Sequence, residues 1–473
     1  MLFRSDEATR YFAAAGATNI KVAPFQQSVF GAGVMHAKLV AVDGRVLSIG
    51  SPFEQGYVDD HSHRIDSWIR GDSDGFPRHD ASFAMTGPAA VQLYRTMKLL
   101  WDTATPDDIL PELQNLNDPP PDHLPPPPPP PSIIDRPEDG VCDVQIVRTL
   151  STDKFANMDE GEKGILEAYQ RGIANATDFI YLETQYFTND KIAEALHKRL
   201  ALQPTLQVIV VLNIAPDTPT YPFKQRRLIT RIRREMRRNN KKIEPSSRFG
   251  VFTRWRHETG TPRPQLLPVY IHAKAAVIDN TWGTVGSANL DGLSLDSSLP
   301  SDIVRGIAND FGLHSTREQR AIEVNGLMLD SETGTAVDAL RRKLWAEHLG
   351  YVDTHGAPDI NAADLRRENR PPGPAAQDPN QPPKTPQGGW LKLWHDRAAD
   401  TLQSLTNNPS QATTGKAAVL PWPEDDTTHS SPRDYLTTLG IHSYAVVPLK
   451  GTRKFDFKAG AYPQGSKAPM DYD

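Results

Sequence analysis

The sequence predicts an α/β protein of two lobes with pseudo-two-fold symmetry, each lobe a mixed β-sheet flanked by helices. Three observations carry this expectation. A nine-residue phrase is written twice, at residues 35–43 and 271–279. Ahead of the second copy, apolar runs of strand length alternate with amphipathic runs of helix length. Between the two copies lies a polyproline stretch, an extended spacer that packs poorly and so separates two folded units.

Taken in order, the first half offers a helix over residues 7–15 and a strand over 19–23, then the first copy, His36-Ala37-Lys38-Leu39-Val40-Ala41-Val42-Asp43. Alternation in His36-Ala37-Lys38 is strand-like, which projects His and Lys from one face, two residues apart. The second half reads as a helix over 161–176, a strand over 179–187, a helix over 190–201 and a strand over 206–214. A basic helix over 224–242 follows, then a strand over 248–254, and then His272-Ala273-Lys274-Ala275-Ala276-Val277-Ile278-Asp279. In the basic helix Leu228, Ile232 and Met236 recur every fourth residue, one apolar stripe for packing, while the charged remainder faces water or an anionic surface. A further helix spans 338–350. Residues 390–473 open with the amphipathic Trp390-Leu391-Lys392-Leu393-Trp394 and later offer a strand-like run at 444–448, the pattern of a cap folded back on the lobes. The domain plan is therefore a first lobe at 1–110, a proline-rich linker at 111–140, a second lobe at 141–350, a second linker at 351–389 and a C-terminal appendage at 390–473.

Composition fits an ordinary enzyme. The chain has 473 residues, a net charge of −6 and 38% hydrophobic residues, so no global basic field points to nucleic acid. Cys142 is the single cysteine, which excludes an internal disulfide framework and any cysteine-based metal site. No apolar run is long enough for a signal peptide or a membrane span, so the expectation is a soluble protein, cytoplasmic or exported without a cleaved signal.

Both copies of the phrase are HxKxxxxD, and each is followed, after six intervening residues, by Gly-Ser: Gly50-Ser51-Pro52-Phe53 after the first and Gly286-Ser287-Ala288-Asn289 after the second. One match would arise by chance at a frequency of about 0.05 in such a chain, so two with shared surroundings are informative. At these residues the sequence resembles the phospholipase D superfamily, whose signature is this motif and a Gly-Ser-x-Asn turn, present twice in one active site. The resemblance extends to residues 161–169 and 179–187, and to Arg78-His79-Asp80, Thr86-Gly87-Pro88 and a helix ending at Trp101, covering roughly residues 5–350.

The resemblance implies a two-lobed phospholipase D-like fold with the active site where His36 and His272 meet. One neutral imidazole attacks phosphorus to give a covalent phosphohistidine; the other, protonated, gives its proton to the leaving alkoxide and later takes one from water or an alcohol. Lys38, Lys274, Ser51, Ser287 and Asn289 bind the non-bridging oxygens, and Phe53, standing where an Asn is expected, makes that contact lopsided. Asp80 and Glu323 hold the far nitrogen of each His and fix its tautomer. The two motif aspartates, Asp43 and Asp279, belong to the catalytic motif but lie on the opposite strand parity, suited to holding strand ends. No metal or cofactor enters this chemistry. The substrate expected is a phospholipid met at a transient membrane surface; a metal-independent nuclease and an impaired phosphate- or lipid-binding module are the alternatives. Against the second lobe the first lacks two strands and their helices, so the sequence reads as beginning inside a longer protein, since a sheet without them would leave an unpaired edge.

Overall fold

The structure, a computed structural model, describes residues 35–42, 45–48, 57, 59–64, 67–70, 77–103, 142–152, 154–218, 220–240, 244–258, 264–296, 320–331, 334–354, 357–372, 386, 388–407, 417–423, 432–442 and 444–446. The helix expected at 7–15, the strand expected at 19–23, the linker at 111–140, and Asp43, Ser51 and Phe53 lie outside the described residues.

In the first half, β1 (Leu39–Val42), β2 (Arg45–Ser48), β3 (Arg78–His79) and β4 (Phe83–Met85) precede the helix α1 (Gly87–Thr103). An antiparallel ladder in the order β1-β2-β4 forms a small sheet. Helix α1 covers it with Ala90 and Leu93, which share a cluster with Met85 and Val324.

The second half supplies β5 (Asp143–Leu150), β6 (Glu162–Lys163), α2 (Gly164–Asn175), β7 (Phe179–Thr184), α3 (Asp190–Leu202), β8 (Gln207–Leu212), α4 (Tyr221–Asn239), β9 (Phe249–Glu258) and β10 (Gln265–Pro268). After these come β11 (Tyr270–Ile271), β12 (Ala275–Ile278), β13 (Trp282–Gly286), α5 (Gly292–Leu295), β14 (Glu323–Leu329), α6 (Ala336–Leu349), α7 (Gly389–Asn407), β15 (Ala417–Pro421), α8 (Pro432–Thr438) and β16 (Ala445–Val446). One large mixed sheet runs β16-β10-β9-β8-β7-β12-β13-β14-β5-β6, with β15 also paired to β9. Strands β7, β8 and β9 run parallel, and β7 and β8 carry largely apolar runs, as strands covered on both faces require.

Alternation along β7 sorts the two faces. Ile180 and Leu182 join the apolar layer made with α2, α3 and α4, while Phe179 and Tyr181 join that made with α6 and α7. The apolar stripe of α4, Leu228, Ile232 and Met236, lies in the first of these layers.

The described residues of 390–446 are built into this body. Trp390, Leu391 and Trp394 of α7 are fully buried against Trp345, Phe252 and Tyr181, and β15 and β16 extend the sheet beside β9 and β10. One expectation changes in detail: His36 to Lys38 precede β1, and His272 to Lys274 link β11 to β12, so neither motif's His and Lys sit in a paired ladder.

Among the described residues the two halves meet at several places. Met35 bridges Ile322 in parallel, β3 pairs in parallel with β11, and the Phe83 ring lies against Gly326 of β14. At Gly326 a Cβ would stand 2.1 Å from that ring, so the seam itself demands glycine.

Candidate active site

The second motif is held by a strand from the other half of the chain. Backbone N–H groups of His272 and Ala273 both donate to the His79 carbonyl, at 2.8 and 3.1 Å. This fixes the residue after His79, and Asp80 places Oδ2 2.7 Å from His272 Nδ1. Burial alone would raise the Asp80 pKa, but His272 and Lys274 beside it outweigh that and hold its carboxyl below the usual value. Lys274 Nζ lies 3.0 Å from His272 Nε2, so His and Lys share one side as the two-residue spacing requires. The Tyr57 ring meets the imidazole edge-on at 5.1 Å.

The first motif is arranged the same way with the halves exchanged. The His36 N–H donates to Ile322 O at 3.0 Å, which sets the ring against Glu323 at the start of β14, with Nδ1 2.8 and 2.9 Å from the two carboxylate oxygens. Ser287 and Ser294 each donate a hydroxyl hydrogen to Glu323, at 2.6 and 2.7 Å. Glu323 is fully buried, so these donors together with His36 offset the cost of removing it from water. Lys38 Nζ donates to the His36 carbonyl at 3.0 Å.

The Gly-Ser-Ala-Asn turn ties the two histidines into one network. Gly286 N–H donates to Lys274 O, and Ser287 receives the Val324 N–H. Gly286 leaves no room for a side chain, since a Cβ there would stand 2.5 Å from the Asn325 Cα. Asn289 is 3% exposed, and its Oδ1 has no hydrogen-bond partner among the described residues. Amide O and N are exchangeable assignments, so this side chain offers a polar atom of either kind to a ligand.

Asp279 sits at the other end of β12. It accepts from the backbone N–H groups of Thr177, Asp178 and Phe179 and from the Thr177 hydroxyl, at 2.6 to 2.9 Å. It also takes a left-handed φ of 52° in the β12–β13 turn, which Asp tolerates better than most residues. Its carboxylate is engaged with backbone, not with the imidazoles. Ser294 had no sequence signal: it is brought to Glu323 by α5, whose N-cap Asp291 accepts from its N–H at 2.7 Å. Ser51 and Phe53 lie outside the described residues.

A model of the cardiolipin synthase, PLD-like domain matches residues 169–304. Phospholipase D C of Dictyostelium discoideum is 26% identical over 232 residues, 45% of this chain and 14% of that protein. Phospholipase D alpha 1 of Brassica oleracea var. capitata is 23% identical over 346 residues, 59% of this chain. This chain spans 40% of the length of that relative. Among solved structures, phosphatidylserine synthase from Haemophilus influenzae Rd KW20 aligns over 70% of this chain and 65% of its own at 14% identity, with a TM-score of 0.38. Nuc from Salmonella typhimurium aligns over 40% of this chain and 84% of its own at 15% identity, with a TM-score of 0.23. Among the described residues no helix is long and apolar enough to cross a membrane. Two HxKxxxxD motifs joined through one buried network stand beside these family and sequence matches, which support the phospholipase D superfamily.

Proposed function

We propose that this chain cleaves or transfers the phosphatidyl group of a phospholipid through a covalent phosphohistidine, with His36 and His272 as nucleophile and general acid. The observation that carries the reading is the matched pair of carboxylate–imidazole contacts, Glu323 on His36 and Asp80 on His272, each made at Nδ1. A carboxylate at Nδ1 fixes the proton there, so Nε2 is the nitrogen each ring would turn to phosphorus or to the leaving oxygen. Lys274, Lys38 and Asn289 supply charge and hydrogen bonds for the non-bridging oxygens. No step needs a metal ion. The relatives named as phospholipases D support a lipid diester as substrate.

The test incubates the protein with mixed phospholipids and, separately, with plasmid DNA, in buffer without added divalent cations, and follows products of both. Phosphatidic acid or a new phosphatidyl ester is expected, with turnover lost in His36→Ala and in His272→Ala. An acid-labile phosphoenzyme should be trapped in the wild type. Near wild-type turnover by His272→Ala would overturn the mechanism, and nicked plasmid with intact lipid would replace it by a nuclease.

A further inference from the structure

Behind Asp80 lies a second cluster that the phosphoryl-transfer chemistry does not use. His79 precedes Asp80 in sequence and points the other way, into a buried group formed by His63, Glu347 and Glu183. Glu347 Oε1 lies 2.9 Å from His63 Nε2 and 2.5 Å from His79 Nδ1, and its Oε2 lies 3.0 Å from His61 Nδ1. One donor atom from each of His63, His79 and Glu347 falls within 4.8 Å of the others. His63 and His79 are 3% and 2% exposed, while the His61 side chain is half-exposed and opens the group to solvent.

The outward nitrogens decide what the cluster is for. His63 Nδ1 faces Asp59 Oδ2 at 2.9 Å, and Asp59 is itself held by Arg70 Nη1 and the Arg78 N–H. His79 Nε2 faces Glu183 Oε1 at 3.2 Å. An ionised carboxylate only accepts, so each ring meets an acceptor at both of its nitrogens. Protons close this arrangement by charging the buried rings or by protonating a carboxylate, beside Arg254, whose Nη1 lies 2.9 Å from the same Glu347 oxygen. A divalent ion closes it with neutral rings: each binds the ion through its inward nitrogen and donates its outward N–H to a carboxylate, the usual setting of a metal-bound histidine. The ion carries the same charge as the two ring protons it replaces.

The adjoining group of His79, Glu183 and His348 makes the contrast. There Arg254 Nη1 donates to His348 Nδ1 at 3.1 Å, and His348 Nε2 donates to Glu183 Oε2 at 2.7 Å. Its hydrogen bonds close with a neutral ring, and it asks for no cation.

We propose that His63, His79 and Glu347, with His61 completing the set, bind a divalent transition-metal ion that fastens the first half of the chain to the second. Three imidazoles and a carboxylate are zinc donors, and four of them complete a closed tetrahedral site of the structural kind. With bonds of about 2.0 Å, tetrahedral donors stand roughly 3.3 Å apart, against the present 2.5 and 2.9 Å from Glu347 Oε1 to the His79 and His63 rings. The ion would act by position. It locks the ring of the residue whose carbonyl holds His272 and whose neighbour, Asp80, meets the His272 ring.

The test is elemental analysis of the full chain, purified without a histidine tag and dialysed. About one zinc per chain is expected, and His197→Ala, away from the cluster, should retain it. Glu347→Gln should lose it. Because that change can disturb folding, His61→Ala serves as the mild variant: it should fold, retain the metal more weakly and bleach the visible absorption that cobalt(II) gives on entering chelator-stripped wild type. Zinc added back to stripped wild type should raise its Tm. Stripped wild type that takes up neither zinc nor cobalt, with an unchanged Tm, overturns the site, as does uptake that is equal in Glu347→Gln and His61→Ala. Every readout is independent of turnover, so the result stands apart from the phosphodiesterase reading.

Discussion

Glu323 shows how one side chain couples burial to chemistry. A fully buried carboxylate is tolerable because His36, Ser287 and Ser294 all converge on it. In Glu323→Gln the shape survives while the carboxylate that orients the His36 ring through Nδ1 is lost. We expect kcat to fall by on the order of 10²–10⁴, with KM changing far less. Steady-state kinetics on a lipid substrate checks this, and a wild-type kcat would remove Glu323 from the catalytic machinery. Asp279 is a different case within the same motif. Changing it to Ala strips the acceptor from three backbone N–H groups at the start of β7, and a loss of about 1–3 kcal/mol in unfolding free energy is expected by denaturant titration. Residues 36, 38, 272 and 274 were legible as a chemical set from spacing alone, because a repeated pattern is visible in one dimension. Ser294 was not, because only the fold of α5 against β14 brings it to Glu323.

At the scale of elements, α6 is the brace of the second half. Arg341 on α6 donates to Asn280 in the β12–β13 turn and to the Leu365 carbonyl, while its guanidinium lies over Trp345 and Trp390, 4.8 and 4.3 Å from their centroids. Asp338 holds Arg341, Arg342 and Arg367. Burial pushes the Asp338 carboxyl up, but the guanidiniums of Arg341 and Arg367 prevail and keep it below its ordinary value. A depressed folded pKa contributes stability that is present above the unfolded value, about 3.9, and lost as pH falls through the folded one. Asp338→Asn should therefore cost about 1–3 kcal/mol near pH 7, and the gap to wild type should close below the ordinary carboxylate range. A gap that persists unchanged at acid pH would show that shape, not charge, is what Asp338 supplies. Helix boundaries such as 190–201 against the observed Asp190–Leu202 were readable in sequence because apolar periodicity is local.

At the scale of the whole molecule, the C-terminal segment is part of the core. Trp390 and Trp394 are fully buried against Trp345 in a layer that β15 also lines through Val419. Ending the chain after residue 388 would expose that layer, and each large side chain left facing water removes about 1.5–3 kcal/mol of burial. We expect the shortened protein to be insoluble or to melt without cooperativity in calorimetry. A sharp, reversible transition at the wild-type Tm would mean that the second half closes its core without α7.

What the sequence determined by itself is whatever depends on near neighbours: the doubled HxKxxxxD, the apolar runs of β7 and β8, and the amphipathic stripe of α4. Spacing along the chain encodes which side chains share a face, so these survive without coordinates. Tertiary structure alone decided the long-range pairings. It placed Glu323 on His36 across 287 positions and Asp80 on His272 across 192, and it set residues 417–421 beside β9. It also gathered His61, His63, His79 and Glu347 from distant parts of the chain. Such contacts are chosen by burial and by the pairing of buried charges among distant segments, and no local periodicity records that choice.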